Sequence, residues 1–363
     1  MTWPSRQAMP GPSSRLGGGA GALPGRQVAP ACAEPPGPPR GSPCRGIRRL
    51  ASGARDRQPL PVPDFCARRE RLPVLGLGVS TEYGASLAAG ALDPAALRRA
   101  RPDFGGFLEV GVEVARGLDA PARAWAAAGW PTTYHFLDIN LDEPEDLDPA
   151  WLAGVRGCIE LLRPAWLCGD AGLWHFGRRD RGQMLLLPPV LIAESIAPLA
   201  AGIRALREAT GLEVLPENPP GTAFVGDLHL LEFFARVAEA ADTGLLLDCA
   251  HLAMYQRLQG HAPLDGLDHL PWDRVIELHV AGGRERSDGG FHWVEDEHGT
   301  VLLPDTWAIA RYALARAGQL RAVVVECERN PLAAVLPLFE QVAAALPARF
   351  APVPGDSKLG AAP

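Results

Sequence analysis

Residues 213–248 read EVLPENPPGTAFVGDLHLLEFFARVAEAADTGLLLD. Two short apolar runs, Glu213 to Asn218 and Gly244 to Asp248, flank a segment from Asp227 to Ala240 whose large apolar residues recur at helical spacing. Strand, helix and strand follow one another. A strand that is apolar at nearly every position is buried on both faces, as in a parallel sheet covered by helices. From Arg71 onward this alternation occurs eight times. The other predicted strands are Val74 to Val79, Phe107 to Val112, Thr133 to Leu137, Trp166 to Asp170, Val275 to Gly282 and Ala322 to Glu328. Predicted helices include Asp148 to Leu162, Pro188 to Thr210, Asp305 to Ala317 and Pro331 to Leu346. Eight such units fit an α/β (β/α)8 TIM barrel over residues 71–350. An open doubly wound sheet fits less well, since no GxGxxG or phosphate-binding loop follows the first strand.

Outside the barrel the composition changes. Residues 1–70 hold 13 Pro and 10 Gly and lack apolar periodicity, so they are expected to be a disordered extension. They carry 11 Arg against 4 acidic residues, whereas the whole chain of 363 residues has a net charge of -7. The body is therefore acidic, which argues against nucleic acid as a partner. Residues 351–363 form a short flexible tail in this reading. With 47% hydrophobic and 21% charged residues the chain has material for a core. No apolar run is long enough to span a membrane and no secretory leader opens the sequence, so a cytoplasmic protein is expected. The seven cysteines are scattered without a CxxC pair, which favours free thiols over disulfides or a zinc ribbon.

In barrels of this kind the reacting groups stand at the C-terminal ends of the strands. Here those ends are polar almost every time. Strand two ends near Glu109 and Glu113, strand three carries His135, strand four ends in Asp170, and strand five in Glu217 and Asn218. Strand six ends in Asp248 with His251 just beyond, strand seven supplies Glu277 and His279, and strand eight gives Glu326 and Glu328. The loop after strand seven holds Asp296 and His298. Burying so many ionisable groups is costly unless something compensates the charge, and a cation is the simplest compensator. Carboxylates with imidazoles suit Fe(II), Mn(II) or Zn(II). Alone, Asp296-x-His298 also reads as a solvated turn, His279 and His135 as satisfied interior histidines, and Glu217-Asn218-Pro219 as a capped turn. Cys168 and Cys249 read as small apolar packing residues.

Several of these segments, taken in order, resemble the DUF692 family, the multinuclear non-heme iron-dependent oxidative enzymes. The resemblance spans about residues 72–332. It rests on Gly76-Leu-Gly-Val, Phe107-Leu-Glu-Val with Glu113, His135, Cys168-Gly-Asp-Ala-Gly-Leu-Trp174 and Leu185-Leu-Leu-Pro188. Glu217-Asn-Pro219, Leu245-Leu-Leu-Asp248, Glu277-Leu-His-Val-Ala-Gly282, Asp296-Glu-His298, Trp307 and Glu326-Cys-Glu-Arg-Asn-Pro331 continue it. The resemblance implies metal ligands at His135, Asp170, Glu217, His279, Asp296, His298 and Glu326. Asp248 and Asn218 would be catalytic groups beside them. The chain departs from the family pattern in four places. Glu82 or Tyr83 stands where the family has a histidine, Ala171 and Gly283 replace two further histidines, and His251 replaces an asparagine. His251 is itself able to bind a metal.

The resemblance further implies a mixed-valent Fe(II)/Fe(III) pair, with a third iron lacking the ligands that Ala171 and Gly283 do not supply. The activity implied is oxidation by dioxygen of a residue, commonly cysteine, in a ribosomally made precursor peptide. It also implies a separate peptide-recognition partner protein, and no membrane or nucleic-acid partner is expected. Two other readings stay open at this point. One is a redox-silent divalent-metal barrel resembling sugar isomerases or endonuclease IV. The other is a degenerate barrel that binds a peptide without turnover.

Overall fold

The computed structural model describes residues 64–81, 90–177 and 181–350. Eight parallel strands close on themselves: β1 (Gly76–Thr81), β2 (Leu108–Val112), β3 (Thr132–Phe136), β4 (Leu167–Asp170), β5 (Val214–Glu217), β6 (Leu245–Asp248), β7 (Val275–Asp288) and β9 (Ala322–Glu326). Each pairs with its neighbours in the order written, and β9 pairs with β1 to complete the cylinder. The ninth strand, β8 (Phe291–Gly299), runs antiparallel to the far half of β7. The fold is a TIM barrel, as the sequence predicts.

Helices return the chain between strands: α2 (Pro94–Ala100), α3 (Ala120–Ala127), α4 (Pro149–Leu162), α5 (Ala193–Thr210), α6 (Leu230–Ala241), α7 (Cys249–Gln259) and α8 (Pro304–Arg316), with α9 (Leu332–Ala343) following β9. Local chemistry starts several of them. Asp93, Asp119, Asp148 and Asp248 each accept a hydrogen bond from an amide in the first turn of α2, α3, α4 and α7. The helix expected from Pro188 begins only at Ala193. Proline in the run Pro188-Pro189 fits an extended approach rather than a helix interior. Among the described residues no helix is long and apolar enough to cross a membrane.

Alternation along each strand sorts the side chains into two cores. Outward residues such as Val110, Tyr134, Val214, Leu245, Val280 and Val325 pack under the helices. Inward residues Phe107, Trp166, Leu215, Leu246 and Val324 fill the N-terminal half of the cylinder. Gly78 is required here, because a Cβ would fall 2.4 Å from the Phe107 ring.

Two expectations are corrected. The disordered extension was expected to reach residue 70, but Phe65–Arg69 forms a short helix, α1, and Phe65 is wholly buried in the inner core. Asp242 Oδ2 accepts from the Phe65 amide at 2.9 Å, and Arg68 pairs with Glu213 at 2.8 Å, so α1 is tied to the barrel floor. The rest of the expected extension, residues 1–63, and the expected tail, 351–363, lie outside the described residues, as do Glu82 and Tyr83. The second correction concerns Asp296 and His298, expected in a loop. They stand on β8, within a hairpin that turns at Gly289 and Gly290 with φ of 56° and 87°.

Candidate metal centre

The same two-residue alternation that packs Phe107, Trp166, Leu215 and Leu246 inward places Glu109, Cys168, Glu217 and Asp248 one step higher inside the cylinder. One step further on β4 comes Asp170. His135 on β3, His279 on β7 and Glu326 on β9 complete a ring at the C-terminal mouth. The expected strand-end residues therefore converge. His135 Nε2 lies 2.8 Å from Glu217 Oε2. His279 Nε2 lies 3.1 Å from Glu109 Oε1, while its Nδ1 lies 3.2 Å from Glu217 Oε1 and 3.3 Å from Glu326 Oε1.

The hairpin supplies the remaining wall. The β7–β8 pairing jumps from Gly282 opposite Gly299 to Gly283 opposite Asp296, leaving Glu297 and His298 in a bulge. His298 has φ of 49°, and a bulge of this kind re-aims a side chain. Asp296 Oδ2 thereby lies 3.1 Å from His251 Nε2 and 3.2 Å from His298 Nε2. His298 Nδ1 sits 2.7 Å from Glu328 Oε1, whose other oxygen accepts from Ser80 Oγ at 3.2 Å. His298 Nε2 is 3.9 Å from Glu326 Oε2, so the hairpin pair joins the ring from the side. His251, in the first turn of α7, also places Nδ1 3.5 Å from Glu217 Oε1.

Donor atoms of four overlapping triads at the mouth lie within 4.8 Å of one another: Glu109, His135 and His279; His135, Asp170 and Glu217; Glu217, Asp248 and His251; Asp248, His279 and Glu326. The chemistry of this set fits divalent cations. Among the described residues Asp170 Oδ1, Glu217 Oε1, Asp248 Oδ2, His279 Nδ1, Asp296 Oδ1 and Glu326 Oε2 are buried without a hydrogen-bond partner. Leaving such atoms unpaired is costly, and a cation would satisfy them together. The donors are oxygen and nitrogen, as hard and borderline metals prefer.

Charge points the same way. Burial works to lower the His135 pKa, but Glu109, Glu217 and Asp170 push it up to about 9. His279 and His251 are likewise held well above the usual imidazole range by carboxylates that outweigh burial. Burial, with Glu326 and Glu217 adding to it, pushes Asp248 up to about 7. Even four protonated imidazoles do not balance Glu109, Asp170, Glu217, Asp248, Asp296, Glu326 and Glu328. The Arg329 guanidinium at the rim is 3.6 Å from Glu328.

Below the mouth lies a second polar layer whose clustering the sequence did not reveal. Cys168 Sγ is 3.1 Å from Glu109 Oε2, and the Trp166 indole donates to Glu277 Oε2 at 2.7 Å. Burial and the Glu109 charge push Glu277 up to about 8. Cys168 thus does more than pack. The Asn218 carboxamide, expected to be catalytic, spends Nδ2 on the Asp248 carbonyl at 3.0 Å and Oδ1 on the Asp248 amide at 2.9 Å, clasping β5 to β6. Asp248 caps α7 through Oδ1, which accepts from the His251 amide, and offers Oδ2 to the ring. Glu113 turns away and pairs with Arg116 at 3.0 Å.

The central importance of Glu109 and Glu328 was hidden in the sequence. Both stand at strand ends, yet nothing in their local spacing says which imidazole each meets. Gly283, which replaces a family histidine, packs so that a Cβ would lie 2.7 Å from Val294 Cγ1. The mouth opens into a cavity of about 330 Å³ with Leu137, Trp174, Met184 and Leu186 forming its apolar side.

Among curated relatives, a UPF0276 protein of Acaryochloris marina is 28% identical over 207 residues, covering 54% of this chain and 70% of that protein. A UPF0276 protein of Anaeromyxobacter sp. is 27% identical over 198 residues, covering 53% and 67%. Among solved structures, a xylose isomerase-like TIM barrel protein from Mycobacterium smegmatis in complex with magnesium is 13% identical with a TM-score of 0.48, covering 77% of this chain and 99% of that one. Residues 83–346, most of the barrel, match the family described as RiPP precursor modification enzyme MbnB/TglH/ChrH, and the chain belongs to that family.

Proposed function

We propose that this protein is a multinuclear non-heme iron enzyme that uses dioxygen to oxidise a residue, commonly cysteine, in a ribosomally synthesised precursor peptide. The observation that carries the reading is the ring of imidazoles and carboxylates at the barrel mouth, with buried oxygen and nitrogen atoms left unpaired. His135, Asp170, Glu217, His251, His279, Asp296, His298 and Glu326 would hold two irons. The family pattern allows a third, but Ala171 and Gly283 offer no side-chain donor for it. Bound iron would supply Lewis acidity toward a substrate thiol and electrons for dioxygen reduction.

The chain's own groups prepare that chemistry. Glu109 meets Nε2 of His279 and fixes the ring's orientation, leaving Nδ1, which has no hydrogen-bond partner, to face the cation. Glu328 does the same for His298 through Nδ1. Asn218 locks the ends of β5 and β6, so that Glu217 and Asp248 keep their separation. Trp174, Met184, Leu186 and Leu137 exclude water from one side of the cavity and offer an apolar surface to a peptide side chain. A separate peptide-recognition protein is part of the proposal, as is a cytoplasmic setting.

Metal analysis and Mössbauer spectroscopy of anaerobically purified full-length protein test this reading. About two irons per chain and oxygen-dependent oxidation of a precursor peptide are expected. Trace iron, with turnover restored by zinc or magnesium alone, would overturn it.

A further inference from the structure

The β7–β8 hairpin ends the sheet, and one edge of β8 pairs with β7 alone. Its two-residue turn makes Asp288 and Phe291 a hydrogen-bonded pair, and such pairs alternate along an antiparallel ladder. Arg286 with Trp293 and Arg284 with Glu295 are then the next bonded pairs. The backbone N–H and C=O groups of His292, Val294 and Asp296 consequently point away from β7. Among the described residues no backbone partner meets them.

This edge borders a groove. Trp293, Val294, Glu295 and Asp296 line one bank, and Leu185, Leu186 and Leu187 with Pro220 to Ala223 line the other. Four consecutive residues of β8 touch it, which means the strand presents its edge, since a face would contribute alternate residues. The opposite bank is apolar and exposed at Leu185 and Leu187. Met184 and Leu186 hold φ of 51° and 42°, conformations rare for such side chains, and both reach the mouth cavity. Groove and mouth are continuous, sharing Leu186, Pro220 and Asp296.

We propose that the free edge of β8 is a docking rail on which an extended segment of the substrate peptide adds as a further strand. The inference rests on the reading that the mouth modifies a peptide, and it says how that peptide is held. Main-chain bonds to His292, Val294 and Asp296 would give register, and alternate side chains would meet the leucine bank. Because Asp296 is both the last free rung and a member of the mouth cluster, a strand in this register runs on into the cavity. Recognition of this kind reads backbone and side-chain alternation more than a fixed motif. It also gives an otherwise exposed sheet edge an occupant.

The test uses the full-length protein and a synthetic peptide of about a dozen residues, alternating valine and threonine, with one central cysteine and a lysine at each end. A matched peptide carries N-methyl groups on alternate backbone amides. Hydrogen exchange and fluorescence anisotropy are followed for both. The expected result is protection of the His292, Val294 and Asp296 amides by the first peptide and at least tenfold weaker binding of the methylated one. His292→Pro deletes one outward donor while leaving the β7 ladder its bonds, and should weaken binding several-fold. Its circular dichroism shows whether the fold is kept; if it is not, the two peptides decide alone. Equal binding of both peptides, or no protection at saturating peptide, overturns the proposal. So does a concentration-dependent dimer protecting the same amides, which would assign the edge to a second copy. Iron content measured on the same samples separates the two readings. Iron without amide protection rejects the rail alone, and protection without iron rejects the metal centre alone.

Discussion

The two ends of the barrel interior come from the same strands and the same two-residue alternation, yet they are filled with opposite chemistry. At the N-terminal end Phe107, Trp166, Leu215, Leu246 and Val324 close around Phe65 in an apolar cluster. Two to four residues further along, and at the same level on β7, stand Asp170, Glu217, Asp248, Glu326 and His279, buried and incompletely paired. The first end gains stability from apolar burial. The second gains little from its own contacts and depends on what binds there. Stability and chemistry are thus separated along the barrel axis, and each end can be perturbed by itself.

The largest effect is expected at the floor. Phe65→Ala leaves a hole in the inner core and should cost about 3–5 kcal/mol in chemical denaturation. Metal content of the folded fraction should stay the same. A matching loss of metal would show that floor and mouth are one unit.

At the mouth the expected effect is nearly as large but depends on the ligand. Stripping metal with a chelator should lower stability by about 4 kcal/mol relative to protein held at free cation a thousandfold above Kd. His279→Ala removes the ring that meets Glu109, Glu217 and Glu326. Its melting temperature should hardly respond to added metal, and calorimetric titration should show affinity reduced at least tenfold.

The hairpin lies between these extremes. In Gly283→Ala the new Cβ must displace Val294, two residues before Asp296. Overpacking of this kind costs about 1–3 kcal/mol. Metal affinity should fall more than barrel stability, because Asp296 and His298 move with β8. Unchanged metal titration with a lowered melting temperature would show that the hairpin does not set ligand geometry.

The barrel was legible because buried parallel strands write themselves as continuous apolar runs; all eight were found, and only β7 runs well past its expected end, from Gly282 to Asp288 in the hairpin. Their polar ends were legible for the same reason, since a charge such as Asp170 or His279 stands out at the end of an apolar run. β8 was not. Its sequence FHWVEDEHG carries charges on both faces and shows no clean alternation, so it reads as a solvated turn. The signal that marks it is the turn Asp288-Gly289-Gly290, a common hairpin connection. α1 was missed because five residues after a proline-rich leader show no periodicity, and one buried Phe carries its anchoring. The partnerships of Glu109 and Glu328 depend on contacts between strands far apart in sequence, which local spacing does not encode.

The smallest effect sharpens the division between the two ends by pH. Asp242 accepts from the Phe65 amide and from Arg68 at the floor, with Arg274 3.5 Å away. Burial works to raise its pKa, but the Arg68 hydrogen bond, the Phe65 amide and the two guanidinium charges together hold it below the ordinary carboxylate value. A carboxyl depressed in the folded state contributes its stability in full above its unfolded pKa, near 4, and loses it as pH falls through the folded value. The anchoring of α1 should therefore be constant at neutral pH and weaken only in acid, with Asp242→Asn flattening the response. Hydrogen exchange of the α1 amides, corrected for intrinsic rates between about pH 3 and 6, measures this. Metal should make no difference to that profile, because the groups that hold α1 lie at the opposite end from the cation site. If α1 protection followed metal instead of acid, the separation of floor from mouth would fail.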